Sequence, residues 1–451
     1  MSDSVNQEIA GSRDRADHSR QRSDLEPYQL ERFRTMAAEI AGRNPFWTRR
    51  FEAAGVDPVG INDWEAFRAI PFVTKAELVA DQAESPPYGT NLTYELTRYS
   101  RLHQTSGTTG RPMRWLDTPA SWDWFMECWR QIFASIGLRE SDRLFFPFSF
   151  GPFIGFWAGF EGANRLGNLC IPGGGMSSEA RLQMLLDNSA TIVCCTPTYA
   201  LRLAEVAAEK GIDLAAGSVR ALIVAGEPGG GIPATKERIE RGWGARVFDH
   251  WGMTEIGALA VEPENAPGTL AMLQRECVAE VVDPVTGAPV EPGQMGELII
   301  TNLGRWGTPL IRYRTGDLVV PEYTETATAL GMMRLKGGIL GRVDDMVTIR
   351  GNNVFPSSLE AILREFASVV EYRIEVRTER AMQHLRIEIE PADTLAEPAV
   401  KQLLVEVGRA VKDRLNFNAE VAAVAPASLP RFELKGRRFI RVEPGESQAT
   451  G

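Results

Sequence analysis

Between residues 118 and 252, short apolar runs alternate with stretches of helical spacing, and this alternation constrains the fold more than any other feature. RLFFPFS (143–149), TIVCCTP (191–197), VRALIVAGE (219–227) and ARVFDHWG (245–252) are bounded by Gly and Pro and read as buried strands. Trp122, Phe125, Trp129, Ile132 and Ile136 recur at steps of three and four, which predicts one apolar helical stripe packed into a core. Leu182–Leu186, Tyr199–Ala208 and Ala234–Arg241 supply further helical stretches. Strands alternating with helices predict a parallel sheet covered on both faces.

After about 268 the rhythm changes. VAEVVDPVTGAPV, GELIITNL and GDLVVPEY read as strands separated by turns such as Asp283-Pro284 and Pro292-Gly293, so a β-rich part follows. A boundary falls near Gly341. Beyond it, 357–366 and 398–415 have helical spacing, while YRIEVRT and LRIEIEP alternate as strands. The expected fold class is α/β: a large N-terminal domain with parallel sheets covered by helices plus a β-rich subdomain, then a small α+β C-terminal domain. The expected limits are a disordered lead-in over 1–24, a large domain over 25–340 and the small domain over 341–451.

Composition excludes several classes. Hydrophobic residues are 44% and charged residues 24% of 451, the mix of a chain with a sizeable core. The net charge of −10 disfavours non-specific binding to nucleic acid or an anionic membrane. The five Cys form no CxxC pair and the four His no HExxH motif, which fits a reducing cytoplasm. The first 24 residues mix both charge signs without an apolar centre and do not read as a signal peptide. Residues 144–160 carry no charge, but they fall short of the roughly 20 residues a span requires and are interrupted by Pro147 and Pro152. They read as a buried strand followed by a pocket-lining loop. Nothing distinguishes a monomer from a homodimer.

Four segments carry chemistry. Ser106-Gly107-Thr108-Thr109-Gly110 follows an expected strand, and its hydroxyls and backbone amides suit an anion as well as they suit a simple turn. It lacks the GxxxxGK[ST] spacing. Asp249-His250-Trp251-Gly252-Met253-Thr254-Glu255 follows the last expected parallel strand, where open α/β sheets bind ligands. A carboxylate there suits Mg²⁺ in the company of phosphates, and a Trp suits a purine face. Asp317, in Tyr313-Arg314-Thr315-Gly316-Asp317, reads equally as a turn former or as an acceptor for a ribose diol. Lys435, in Leu429-Pro430-Arg431 and Lys435-Gly436-Arg437, reads alone as surface.

These segments, in this order, resemble the adenylate-forming superfamily of acyl-CoA synthetases. NPFWTRRFEAAGV (44–56), AIPFVTKAEL (69–78), TPLIRYRTGDL, GRVDDMVTIRGNNVFPSSLE and LPRFELKGRRF are similar to its phenylacetate-CoA ligase branch, and the similarity spans roughly 44–441. The resemblance implies an aryl-CoA ligase: a carboxylic acid is joined to AMP with loss of pyrophosphate, then passed to CoA. The acceptor in some relatives is a carrier protein or an amine, and a non-catalytic nucleotide-binding protein is a third reading. ATP, Mg²⁺ and CoA are the implied cofactor and co-substrates.

Residue by residue, the resemblance implies Ser106, Gly107, Thr108, Thr109 and Gly110 at the β- and γ-phosphates, Thr254 at the α-phosphate and Glu255 on Mg²⁺. It implies Asp317 with Arg342 at the ribose, and Gly226, Glu227, Pro228, Asp249, Trp251 and Gly252 around the nucleotide. Lys435 is implied as the catalytic lysine, Asp344 as the hinge of a mobile small domain, and Arg350 and Gly351 as lining the thiol channel. Phe148, Phe150, Phe153 and Phe156, with His250, are expected at the acid, an aromatic ring being the bet. Trp251 stands where the family often has Tyr, so stacking is kept and a hydroxyl lost. Arg111 replaces a common Lys. The segment after Glu255 offers only Cys277 and no His, so no zinc site is expected.

Overall fold

The computed structural model describes residues 22–105, 112–324, 330–349, 352–379, 382–432 and 436–442. The apolar runs become strands Arg143–Phe146, Ile192–Cys195, Ala221–Val224 and Arg246–Met253, paired in parallel. Successive residues face opposite sides, as the strand pleat dictates. Leu144, Phe146, Ile192, Cys194, Ala221 and Ile223 join one core, while Phe145, Val193, Cys195, Leu222 and Val224 join a second on the other face. Both faces being covered, the strands read as unbroken apolar runs. A fifth parallel strand, Leu169–Pro172, pairs with Arg143–Phe146 at the sheet edge. Sequence reading missed it because only Ile171 of its four residues is buried.

The predicted helices lie between these strands as Ser178–Asp187, Pro197–Glu209 and Pro233–Trp243. The Trp122 stripe occupies helix Pro119–Ser135, started by the Thr118 hydroxyl accepting from the Ser121 amide and by Pro119 in the first turn. All five stripe residues are buried, although Ile136 stands just past the last turn.

Strand Arg246–Met253 is a seam. One edge pairs in parallel with Ala221–Val224, the other antiparallel with Gly257–Val261. Thr269–Met272, Met333–Lys336 and Pro321–Tyr323 continue that antiparallel half, giving a mixed sheet of nine strands. The expected β-rich part is therefore divided between two sheets. Cys277–Val282, Gly296–Asn302, Tyr313–Val319 and Gly341–Arg342 make a separate four-stranded antiparallel sheet. Turn spacing predicts antiparallel neighbours but not which open edge a strand joins.

A third core, running from Val347 to Phe417, belongs to the small domain. Strands Val369–Glu379 and Met382–Pro391 form its centre, with Glu420–Ala423 and Phe439–Val442 added in parallel at the two edges. Helices Pro356–Arg364 and Glu397–Leu415 complete it. Gly341–Arg342 still pairs within the large domain and Val347 already packs in the small one, so the chain crosses between them at 343–346.

At the N-terminal end, helix Arg22–Ile40 begins inside the stretch expected as a lead-in. The Gln29 side-chain amide ties it to the carbonyls of Gln274 and Cys277, at 2.7 and 2.8 Å. Residues 144–160 resolve into strand, loop and the start of helix Trp157–Arg165. No helix among the described residues is long and apolar enough to cross a membrane.

Candidate active site

Strand Arg246–Met253 and the turn after it present the central motif. The Trp251 indole N–H donates to Asp317 Oδ2 at 2.9 Å, tying the nine-stranded sheet to the four-stranded one. The indole thus offers a nitrogen donor, which the sequence reading, noting only a lost hydroxyl, did not see. Asp317 Oδ1 accepts from Arg342 at 3.0 Å, and Arg342 also donates to Asp344 Oδ2 at 3.2 Å. Burial pushes the Asp317 carboxyl up to about 6 even though Arg342 opposes the shift. Gly316 has φ +77°, and a Cβ there would lie 2.8 Å from the Arg342 guanidinium, so this turn requires glycine.

Glu255 is only 3% exposed, and its Oε1 faces the Lys75 ammonium at 3.2 Å. Lys75 opens helix Lys75–Glu84, whose start is fixed by a reciprocal pair of bonds between Thr74 and Glu77. Glu255 is a buried carboxylate, a hard oxygen ligand of the kind that would hold Mg²⁺, and Lys75 neutralises it in this structure. Among the described residues no cluster of three ligating side chains exists, so the ion's other oxygens would be phosphate and water. Behind this motif lies Arg305, fully buried. It donates to the Thr254 and Glu255 carbonyls at 2.7 and 2.8 Å and doubly to Asp117 at 2.7 and 2.8 Å. Burial alone would raise the Asp117 carboxyl, but the Arg305 charge prevails and holds it below the usual range.

Asp117 ends a strand, Arg114–Asp117, that pairs with Arg101–Gln104. Thr105 and Met113 close this hairpin, with amide bonds of 2.9 and 3.0 Å. Its tip carries Ser106, Gly107, Thr108, Thr109 and Gly110, which lie outside the described residues, as do Arg350, Gly351 and Lys435.

The Gly226-Glu227-Pro228 segment leaves the carboxyl end of strand Ala221–Val224. Gly226 has φ +95°, and the Glu227 carboxylate accepts from the amides of Thr198 (2.8 Å) and Gly436 (2.6 Å), partners the sequence reading did not name. Asp249 is half-buried as a residue, but Gly230, Gly231 and Gly338 enclose its carboxylate. A Cβ on Gly230 would lie 2.3 Å from it. Burial and the neighbouring Glu262 push its carboxyl up to about 7, against the pull of Lys236. Gly252 lies opposite Ala258 at a strand irregularity, where a Cβ would come within 2.6 Å of the Gly257 carbonyl.

The aromatic residues form a connected run. His250 packs against Trp129 (centroids 4.8 Å apart), Trp129 against Phe156 (6.2 Å), Phe156 against Phe148 (6.1 Å) and Phe148 against Phe150 (5.3 Å). Phe153 enters none of these pairs and is 41% exposed, because the 151–153 bend turns it outward. Burial pushes His250 down to about 4, so it is neutral at pH 7. Its Nδ1 lies 2.8 Å from the Ala260 carbonyl and therefore carries the proton.

Comparison with known proteins bears on this arrangement. The AMP-binding enzyme family model matches residues 102–304, and the AMP-binding enzyme C-terminal domain model matches 351–441. The phenylacetate-coenzyme A ligase of Thermus thermophilus is 30% identical over 439 residues, covering 93% of this chain and 96% of that one. The chain belongs to the AMP-binding enzymes, in their phenylacetate-CoA ligase-like branch. It is an acid–thiol ligase that uses ATP and CoA. Among solved AMP-binding enzymes, 2-hydroxyisobutyryl-CoA ligase in its postadenylation state with 2-HIB-AMP superposes with a TM-score of 0.89 at 30% identity, covering 94% of this chain and 91% of that one. The same enzyme with 2-HIB-AMP and CoA in its thioesterification state gives 0.70 at 31% identity and the same coverage. One relative thus matches well in one domain arrangement and poorly in another, so the two domains here stand as in the postadenylation state.

Proposed function

We propose that this protein is an aryl-CoA ligase. It forms the mixed anhydride of an aromatic carboxylic acid (benzoate-, anthranilate- or phenylacetate-type) with AMP, releasing pyrophosphate, and then transfers the acyl group to CoA with release of AMP. The observation that carries the aromatic reading is the run from His250 through Trp129 to Phe150. It begins on the same strand as Trp251, four residues before Thr254, which places apolar faces beside the nucleotide motif. A neutral His250 keeps that end of the run uncharged, which suits an apolar ring and leaves the acid's carboxylate to be matched by cations elsewhere.

In this reading the carboxylate oxygen attacks the α-phosphorus and the bond to the β-phosphate oxygen breaks. Two anions must meet, so positioning and fixed positive charge lower the barrier. Ser106–Gly110 hold the β- and γ-phosphates, Thr254 the α-phosphate, and Lys435 bridges the acid and the α-phosphate. Asp317 keeps free lone pairs on both oxygens after meeting Trp251 and Arg342, enough for the ribose hydroxyls. Mg²⁺ held by Glu255 supplies charge neutralisation across the phosphates.

Pyrophosphate release from Mg·ATP, measured across benzoate, anthranilate, phenylacetate, 2-hydroxyisobutyrate and a long-chain fatty acid, with and without CoA, tests the assignment. Aromatic acids are expected to be turned over, with acyl-CoA formed only when CoA is present. Preference for 2-hydroxyisobutyrate would overturn the aromatic reading. Adenylation without acyl-CoA would move the acceptor to a carrier protein or an amine.

Asp344 lies within the 343–346 crossing, the position of a hinge between half-reactions. Asp344→Pro fixes φ there and is expected to damage one half-reaction, assayed separately, several-fold more than the other. Equal losses would remove the hinge assignment.

A further inference from the structure

Glu227, in the loop after strand Ala221–Val224, sends its side chain across to the small domain. Its Oε1 accepts from the Thr198 amide at 2.8 Å, in the first turn of helix Pro197–Glu209. Such first-turn amides lack partners within their own helix and lie at its positive end, so a carboxylate is held firmly there. The other oxygen, Oε2, accepts from the Gly436 amide at 2.6 Å. Gly436 directly follows Lys435 in the chain. A second bond runs beside it, from Arg438 to the Thr198 hydroxyl at 3.0 Å, while Glu371 of the small domain holds Arg438 at 2.6 and 2.9 Å. The approach is close: a Cβ on Gly436 would come within 3.4 Å of the Thr198 hydroxyl.

We propose that Glu227 is a positioning residue for adenylation: anchored on the large domain, it latches the chain beside Lys435 and must release before the thioester step. The proposal rests on the two half-reactions argued above. What carries it is the pairing of this contact with one domain arrangement. The chain superposes on 2-hydroxyisobutyryl-CoA ligase at TM-scores of 0.88 and 0.89 in the postadenylation state, and at 0.70 and 0.71 in the thioesterification and open states. A rotation about 343–346 would carry Gly436 and Arg438 away from Glu227 and Thr198, so both bonds would belong to the first arrangement alone. An acceptor bonded to two amides, one on each domain, favours the first arrangement and adds nothing to the other.

Two measurements on the full-length protein test this. In Glu227→Ala, pyrophosphate release in a single turnover is expected to fall about tenfold, as for loss of a hydrogen bond to a charged group. Thioester formation from supplied acyl-AMP and CoA is expected to be unchanged or faster. Equal losses in both steps, or no loss in either, overturn the latch. Independently of chemistry, hydrogen–deuterium exchange of the peptide spanning 436–442 should accelerate in Glu227→Ala, and unchanged exchange overturns the proposal too. If the wild-type protein adenylates no acid, the functional reading has failed, and the exchange measurement still decides the contact.

Discussion

Lys435→Ala is expected to lower acyl-AMP formation by on the order of 10²–10³ while leaving the protein folded. Both ends of its segment are held by other residues: Arg431 is paired with Glu390, and the Gly436 amide with Glu227. The substitution removes a charge from a segment whose neighbours on both sides keep their own partners. The unfolding temperature should stay within a degree or two of wild type, as for surface changes. Thioester formation from supplied acyl-AMP should survive, because the proposed role of the lysine is at the α-phosphate and not at the thiol. Adenylation at the wild-type rate, measured as single-turnover pyrophosphate release, would end the assignment of Lys435.

Arg305→Met is expected to cost about 3–5 kcal/mol of stability, because it strands a charge in the interior. Asp117 and Arg305 are both fully buried, and the guanidinium also satisfies two carbonyls of the Thr254–Glu255 motif. Trp115 and Phe125 flank it, each with its centroid 5.1 Å away, so water cannot readily take its place. Adenylation should fall beyond what reduced folding explains, since the motif backbone loses its anchor. Adding Asp117→Asn to Arg305→Met should recover part of the stability, because the unpaired charge is gone. Urea denaturation of the three variants decides this: strictly additive losses would mean that the two residues do not act as a pair.

What the sequence yielded and what it withheld follow from how local each signal is. The buried parallel strands and the Trp122 stripe were readable because covering both faces of a sheet, or one face of a helix, leaves its period in consecutive residues. Asp317 and Arg342 were assigned by resemblance, and the structure brings them within 3.0 Å of each other. Lys75, Arg305 and Asp117 were not found. Each is a single charged residue in an ordinary local setting, a helix start, a glycine-rich bend and a strand end. Their roles come from partners far away in sequence: Lys75 meets Glu255, and Arg305 meets Asp117. The segment of Glu227 was placed at the adenine by resemblance, and its bond to a glycine amide of the small domain, distant in sequence, was not foreseen. A composition-level clue existed only for Asp249, whose glycine neighbours at 230 and 231 imply something bulky filling the space they leave.

The aromatic stretch 147–156 begins where strand Arg143–Phe146 ends and stops where helix Trp157–Arg165 starts, and its Pro152 carbonyl is held by the Gln104 amide at 2.8 Å. The nucleotide motifs sit on other segments, 249–255, 313–317 and 341–342, and the two regions meet where Trp129 touches His250. On the reading proposed above, diet and energy supply are written mostly on separate stretches of chain, with His250 the acid-side residue that sits inside a nucleotide motif. A lineage of such enzymes could then take up a new acid largely by editing ten residues between two rigid elements, while the machinery that spends ATP passes down unaltered.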